Sequence, residues 1–218
     1  MSPKTEDQFK SIREEKRKLI LDTALTLFAN HGYHSTSISN IAKQAGISKG
    51  LMYNYFGGKE ELLKTIFLNI MAEIMGMLNP DHDDEITDDE AEGFFDKFFE
   101  VLINNPDQWR LYYQLSIQPD VMQMLMQENI NQQFQESQKI MIDYFVRRDF
   151  VDPELAILIF SSLFKGFTFI YAFAPEMFSK ELLEKFKQSL KDMFLKKISK
   201  EKNEAPTEFD ERLGYFLL

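Results

Sequence analysis

Residues 49–55 carry side chains that can form hydrogen bonds, and no grouping typical of a catalytic site lies beside them. Lys49 carries an ammonium, Asn54 an amide, and Tyr53 and Tyr55 carry hydroxyls on aromatic rings. Ammonium and hydroxyl groups donate hydrogen bonds, and an amide both donates and accepts them. The chemistry that these residue types offer is therefore reversible recognition of a polar surface.

Two short helices are predicted to present these side chains. Apolar residues recur at steps of three and four at Ile38, Ile41, Ala42 and Ala45. This spacing predicts a short amphipathic helix. Ser37 precedes this helix as its predicted N-cap, and Gly46 follows it at the position where a left-handed residue often ends a helix. Ser48 is predicted to cap a second helix running to about residue 56, with Met52 and Phe56 facing inward. Two helices joined by such a turn have the shape that enters a DNA major groove.

The outer side of this predicted motif offers contacts to base edges. Lys49, Gly50, Leu51 and Asn54 are predicted to face the floor of the groove, together with Ser39 from the first helix. An asparagine amide can bond adenine, a lysine ammonium can donate to guanine, and a leucine can touch a thymine methyl.

A longer pattern surrounds these two helices. Its parts are Ile20-Leu21 to Phe28, Gly32-Tyr33, Thr36-Ser37, Ile41-Ala42, Ala45-Gly46-Ile47-Ser48-Lys49-Gly50, Tyr53-x-Tyr55-Phe56 and Lys59-Glu60-Glu61-Leu62. In spacing and residue type the pattern resembles the DNA-binding domain of TetR-family repressors. The resemblance is continuous but covers only the first third of the chain.

The resemblance implies further contacts to DNA. Tyr53, Tyr55 and Lys59 stand where family members contact phosphate or deoxyribose, and such contacts set register rather than sequence. For the two tyrosines, ordinary packing is the alternative. The candidate DNA-binding residues are Ser37, Ser39, Lys49, Gly50, Leu51, Tyr53, Asn54, Tyr55 and Lys59.

The charge of the chain is unevenly distributed. The formal net charge of −10 argues at first against a DNA partner. Residues 1–67, however, hold ten Lys or Arg and seven Asp or Glu, a net charge of +3, whereas residues 68–218 hold 15 and 28, a net charge of −13. A basic module joined to an acidic body would turn the module toward phosphate.

Catalytic, metal and cofactor sites are not predicted. The chain has no cysteine and three histidines, so no Cys-His or zinc-ligand set can be assembled. Gly32 separates His31 from His34, and no further ligand stands near this pair. The acidic stretch 79–89 around His82 lacks the glycine and spacing of an EF-hand loop, which favours a solvated loop over a calcium site.

Residues 155–174 are apolar nearly all round, and two explanations compete. A membrane span fits the length, but Lys165 at the middle would be costly in a bilayer. A helix with one face against the core and the other against a second subunit fits the composition better. We therefore expect no membrane partner. Since the chain has no cysteine and no visible secretory signal, we expect a cytoplasmic protein.

The predicted fold is all-α, with an N-terminal three-helix helix-turn-helix domain and a C-terminal helical bundle for ligand binding and dimerisation. The expected domains are residues 1–58 and 59–218, with a linking helix at 59–78 and a C-terminal extension at 199–218 that we predict to form a final helix.

The resemblance also implies a homodimer through residues 155–174 and 180–198, a palindromic double-stranded operator, and a small-molecule cavity in the second domain. Aromatic and methionine side chains supply the candidate ligand-binding residues Trp109, Tyr112, Met122, Met126, Phe134, Phe164, Phe167 and Tyr171. The expected function is a repressor released by a small, mostly apolar ligand. The alternative is a helix-turn-helix regulator without such an effector, which is constitutive or controlled by a protein partner.

Overall fold

Helices form the regular structure of the chain. A computed structural model describes residues 6–83, 85–127 and 131–195. The α-helices in these ranges are α1 Glu6–His31, α2 Ile38–Gln44, α3 Lys49–Tyr53, α4 Lys59–Leu78, α5 Asp88–Asn104, α6 Pro106–Ser116, α7 Pro119–Gln127, α8 Asn131–Arg147, α9 Pro153–Phe173 and α10 Lys180–Leu195. No strand occurs in the described ranges, and the prediction of an all-α fold is confirmed. The predicted helix in the 199–218 extension lies outside the described residues.

Side-chain caps mark where several helices begin. The Thr87 hydroxyl accepts a bond from the Glu90 amide, and the Glu90 carboxylate accepts one from the Thr87 amide, at the start of α5. Asp152 caps α9 and Ser179 caps α10 in the same way, each accepting from an amide three residues further on. These bonds satisfy amides that the first turn of a helix leaves without an intrahelical partner.

The chain divides into two compact units. Unit 1 comprises Met1–Ile70 and Leu111–Gln127, and unit 2 comprises Met71–Arg110 and Glu128–Leu218. The predicted boundary at residue 58 follows the limits of the helix-turn-helix pattern, whereas these units group segments that pack together. The first half of α4 belongs to unit 1 because Leu62 and Phe67 are buried in its core.

The core of unit 1 comes from one face of each of its first four helices. Its fully or almost fully buried side chains are Ile20, Ala24, Phe28, Ile41, Met52, Phe56, Leu62, Leu63 and Phe67. The α1 and α4 members recur at helical spacing, so a single apolar face of each long helix is removed from water. This core fixes the two short helices to longer ones, since five or seven residues alone form no stable helix.

The core of unit 2 is built largely from phenylalanine rings. Phe98 of α5 lies 4.1 Å from Phe164 of α9 between ring centroids, and Phe167 of α9 lies 4.2 Å from Phe186 of α10. Offset and tilted ring pairs of this kind add about 0.5–1.5 kcal/mol each beyond area burial. Phenylalanine rings thus pack α5 and α10 against α9.

Helix α9 has a buried face and an exposed face, and the predicted contact of the exposed face with a second subunit stays a prediction. Its buried residues include Ala156, Ile157, Phe164, Phe167, Tyr171 and Ala172. Its exposed residues recur at steps of three and four and are also mostly apolar: Leu155, Ile159, Ser162, Leu163, Gly166, Phe169, Ile170 and Phe173. The helix is long and apolar enough to cross a membrane, but half of its most apolar 18-residue stretch is buried inside the protein. A core helix of a soluble protein has the same properties, so its length and apolarity are weak evidence for a membrane span.

Candidate DNA-binding surface

The turn between α2 and α3 has the geometry that the sequence predicted. The Ser37 and Ser48 hydroxyls each accept a bond of 3.1 Å from the amide three residues on, so both residues are N-caps. Gly46 has a φ of +66°, in the left-handed region that glycine adopts without a Cβ penalty. The Ile47 amide donates to the Ala42 carbonyl at 2.9 Å and closes the turn. The sequence therefore determines this turn locally.

Helix α3 separates apolar from polar side chains. Met52 and Phe56 are 0% and 1% exposed, whereas Tyr53 is 50% exposed and Lys49 and Asn54 are also exposed. Of the remaining candidates, Ser37, Ser39, Gly50 and Leu51 are exposed, and Tyr55 and Lys59 are partly exposed. All of them lie in unit 1, between residues 37 and 59. The buried pair holds the helix, and the exposed set is open to a ligand.

The end of α3 differs from the predicted one. The helix ends at Tyr53 rather than near Phe56. The amides of Asn54 and Tyr55 donate to carbonyls three residues back, and the Phe56 amide donates to the Met52 carbonyl four residues back. Bonds to the carbonyl three residues back tighten the last turn of a helix. Asn54 and Tyr55 therefore project from a tight turn and not from a regular helix.

Two arginines of α1 lie against this turn. The guanidinium carbon of Arg13 is 5.7 Å from the centroid of the Tyr55 ring, and that of Arg17 is 4.9 Å from the Phe56 ring. Both distances are within the range of cation–π attraction. The sequence indicated only that these residues are basic and on a helix, because the fold is needed to place them beside Tyr55.

Lys59 holds the turn that precedes α2. Its Nζ donates to the Tyr33 carbonyl at 3.0 Å and to the His34 carbonyl at 3.2 Å, and it lies 4.7 Å from the centroid of the Tyr33 ring. Burial, and secondly the charge of Glu60, raise the pKa of the Tyr33 hydroxyl above its ordinary value. These contacts give Lys59 a structural role that sequence reasoning missed. Backbone carbonyls are acceptors at every residue, so no residue type signals them.

A second support for the same turn comes from the segment between α6 and α7. Gln118 Nε2 donates to the Phe28 carbonyl at 3.0 Å, and Gln118 Oε1 accepts from the Tyr33 amide at 3.0 Å. The His34 ring and the Asp120 carboxylate lie 3.2 Å apart. Residues about ninety positions apart thus meet, all within unit 1. The sequence contains no signal for this link.

The candidate ligand-binding residues with described side chains are distributed over both units. Trp109, Phe164, Phe167 and Tyr171 are buried among the aromatic rings of unit 2. Tyr112 is buried in unit 1, 5.2 Å from the Phe67 ring, where burial raises the pKa of its hydroxyl, and Met122 of the same unit is partly buried. The side chains of Met126 and Phe134 lie outside the described part of the chain. A ligand role for these residues stays a prediction.

The described residues contain no candidate metal site. No three His, Asp or Glu side chains there lie close enough together to hold a metal ion. His31 and His34, the pair that the sequence brings to attention, are both exposed, and His34 faces Asp120.

Comparison with known proteins agrees with this geometry. Residues 20–66 match the family model "Bacterial regulatory proteins, tetR family". The chain is similar to the uncharacterized HTH-type transcriptional regulator YuxN of Bacillus subtilis, with 60% identity over 23% of this chain and 17% of that protein. It is also similar to the biofilm operon icaADBC negative regulator IcaR of Staphylococcus epidermidis, with 30% identity over 47% and 55% of the two chains. The chain thus spans less than two thirds of these relatives.

A solved structure extends the likeness to the whole fold. The fatty acid degradation regulator FadR from Bacillus halodurans superposes with a TM-score of 0.62 over 83% of this chain and 94% of that one, at 20% identity. At that identity the likeness is one of fold alone. The matched helix-turn-helix residues and the shared all-helical architecture together identify this chain as a member of the TetR family of transcriptional regulators.

Proposed function

We propose that this regulator is a homodimeric repressor that binds a palindromic operator and leaves it when a small, mostly apolar ligand binds. The observation that carries the proposal is the division of side chains around α3. Met52 and Phe56 are buried, while Lys49, Tyr53 and Asn54 stay open to solvent. A helix held by its apolar side and open on its polar side is what reading a major groove requires.

Base-edge contacts are assigned to exposed residues of α3, to Asn54 in the turn after it and to Ser39 of α2. Lys49 donates to guanine, Asn54 bonds adenine, and Leu51 touches a thymine methyl, with Gly50 and Ser39 allowing close approach. Each good contact of this kind contributes about 1–3 kcal/mol of discrimination between base pairs. The sequence preference of the protein would then depend on a few side chains.

Phosphate contacts are assigned to Tyr53, Tyr55 and Lys59. The two carbonyl bonds of Lys59 use two of the three donors of its ammonium and fix the group at the start of α4. The third donor and the free amides of the first turn of α4 favour an anion at that place. The Ser37 hydroxyl accepts a bond as N-cap and keeps its own hydrogen for a phosphate oxygen.

A second copy of the chain is the proposed occupant of the exposed faces of α9 and α10. TetR-family regulators typically act as dimers, and the apolar side chains open on these two helices include Ile159, Leu163, Ile170, Leu182 and Met193. Ser162 and Gly166 lie among them on α9, where small side chains allow helices to approach closely. Two recognition helices about 34–36 Å apart would then fit successive major grooves.

The effector is proposed to bind in the helical C-terminal part of the chain. The aromatic rings of unit 2 suit an apolar ligand, and the fold neighbour from Bacillus halodurans is by name a fatty acid degradation regulator. Fatty acids of different chain lengths are therefore the first compounds to test. Release requires that the ligand bind the DNA-free arrangement more tightly than the DNA-bound one. Thermal stabilisation by such compounds would support an effector, and no stabilisation across a lipophilic library would favour a regulator without one.

TetR-family regulators are soluble bacterial proteins, and membership of the family implies a cytoplasmic location.

Selection of bound sequences from random duplex DNA would test the proposal directly. We expect wild-type protein to enrich a palindrome, and Asn54→Ala to relax the preference at one base pair of each half-site. Tyr55→Ala and Lys59→Ala should instead weaken binding to all sequences about equally, since phosphate contacts carry no sequence information. Failure of folded, dimeric wild-type protein to bind any duplex at low salt would refute the DNA-binding role.

A further inference from the structure

The first turns of α1 precede the residues that match the family model and carry a strip of basic side chains. Helix α1 begins at residue 6, whereas the match begins at residue 20. At about 100° per residue, Lys10, Arg13 and Arg17 lie within about 60° of one another around the helix. Glu6, in the first turn, is an acidic exception in this sector. Outside the sector lie the acidic residues Asp7, Glu14 and Glu15.

The structure places this strip beside Tyr55 and Phe56, which follow the end of α3. Arg13 lies over the Tyr55 ring at 5.7 Å and Arg17 over the Phe56 ring at 4.9 Å, measured from guanidinium carbon to ring centroid. Both arginines are nevertheless exposed. A guanidinium that stacks on a ring keeps its N–H donors in the plane of the group, where they can reach a phosphate. The ring contacts thus restrict where the two charges lie without burying them.

The strip also has a length that suits a DNA strand. From Lys10 to Arg17 the helix rises by about 10 Å, at 1.5 Å per residue. Successive phosphates of one strand are about 3.4 Å apart along the duplex axis, so the strip spans roughly three of them. Its charge acts in a molecule whose net charge is −10, where local basic groups decide which surface DNA approaches.

We propose that Lys10, Arg13 and Arg17 form a second phosphate-binding surface, which holds the DNA backbone next to the half-site contacted by α2 and α3. This inference rests on the proposed DNA-binding function and deepens it. Arg13 lies beside Tyr55, for which a phosphate contact is already proposed, so the two surfaces are continuous. The contacts increase affinity for every sequence and lengthen the protected DNA without changing the preferred bases.

The salt dependence of DNA binding tests this proposal. The probe is a mixed-sequence 40-base-pair duplex, titrated with full-length protein by fluorescence anisotropy in KCl from 50 to 300 mM. For Lys10→Gln/Arg13→Gln/Arg17→Gln, we expect the slope of log K against log[KCl] to become shallower by roughly 2–3, since each phosphate contact contributes about 0.9. The control Lys97→Gln/Lys139→Gln removes two positive charges from exposed positions of unit 2 outside α9 and α10 and should leave the slope nearly unchanged.

A second variant and two contrary outcomes complete the test. Because Arg17 covers Phe56, the double variant Lys10→Gln/Arg13→Gln serves as a second test that leaves this contact intact, with a slope shallower by roughly 1–2. If the slopes of both variants equal that of the control, while the protein still binds DNA and Tyr55→Ala still weakens binding, the second phosphate-binding surface is refuted. The proposed DNA-binding function would then still stand. Absence of duplex binding by the wild-type dimer would instead refute the proposed function.

Discussion

At the scale of single residues, bonds from two side chains to backbone atoms hold the turn between α1 and α2. Lys59 donates to the carbonyls of Tyr33 and His34, and Gln118 bonds the Phe28 carbonyl and the Tyr33 amide. The turn leads directly into the first helix of the DNA-binding motif. Residues outside the recognition helix therefore set the position from which it works, and their effect should appear as stability before it appears as sequence preference.

Gln118→Ala should destabilise unit 1. The variant leaves the part-buried Tyr33 amide without its acceptor, and an unpaired buried donor costs about 1–3 kcal/mol. We expect a lower denaturant midpoint with an unchanged slope, measured by circular dichroism in urea. The control is Gln123→Ala, which removes an exposed glutamine of α7. Equal midpoints for the two variants would contradict the assigned role of Gln118.

At the scale of the elements, a group of charges joins α5 to α10 in unit 2. Asp96 of α5 lies 2.9 Å from Lys191 Nζ and 3.0 Å from Lys187 Nζ of α10. Burial by itself raises the pKa of the Asp96 carboxyl, but the hydrogen bonds from the two lysines outweigh it, and the net pKa is below the ordinary value. The ionised carboxylate is thus more favourable in the folded protein than in the unfolded chain.

The contribution of Asp96 to stability should depend on pH with a definite sign. A folded-state pKa below the unfolded one gives stability that is complete above the ordinary aspartate pKa of about 3.9 and is lost as the pH falls through the folded value. Asp96→Asn should therefore melt below wild type at pH 7, and the difference should shrink toward pH 3. Thermal melts at both pH values measure this effect, with Glu100→Gln on the same helix as the control. A difference that stays constant with pH would rule out the carboxylate as its source.

How far the sequence could predict these elements depends on the distance over which each feature is determined. The caps Ser37 and Ser48, the left-handed Gly46 and the inward Met52 follow from residue types within a few positions, and all were predicted correctly. The link through Gln118 and the carbonyl bonds of Lys59 were not, because their partners are backbone atoms distant in sequence that carry no residue-type signal. The placement of Arg13 over Tyr55 likewise required the packed fold. Local chemistry thus predicted the DNA-reading motif but not its supports.

At the scale of the whole molecule, the proposed operator binding would depend on holding two copies of a small DNA-binding module together. Residues 1–67 of a single copy carry a net charge of only +3, whereas the rest of the chain carries −13. A single copy would therefore bind a half-site weakly. Linking two units makes the second half-site contact intramolecular, which raises the overall affinity without any new contact to DNA. If two copies meet as proposed, the exposed apolar face of α9 would therefore affect DNA binding even though we assign it no DNA contact.

Leu163→Glu/Ile170→Glu should separate the proposed dimer. Both side chains are exposed on α9 at helical spacing, so the single chain loses little packing, whereas two copies would bring four carboxylates into an apolar contact where desolvation is costly. We expect a monomer by sedimentation velocity, an unchanged helical spectrum, and operator affinity at least tenfold weaker. Val146→Glu, at an exposed apolar position of α8, adds charge to the same unit and should leave the dimer intact. If the double variant remains dimeric, α9 is not the contact between copies, and the geometry that favours a palindromic operator must come from another face.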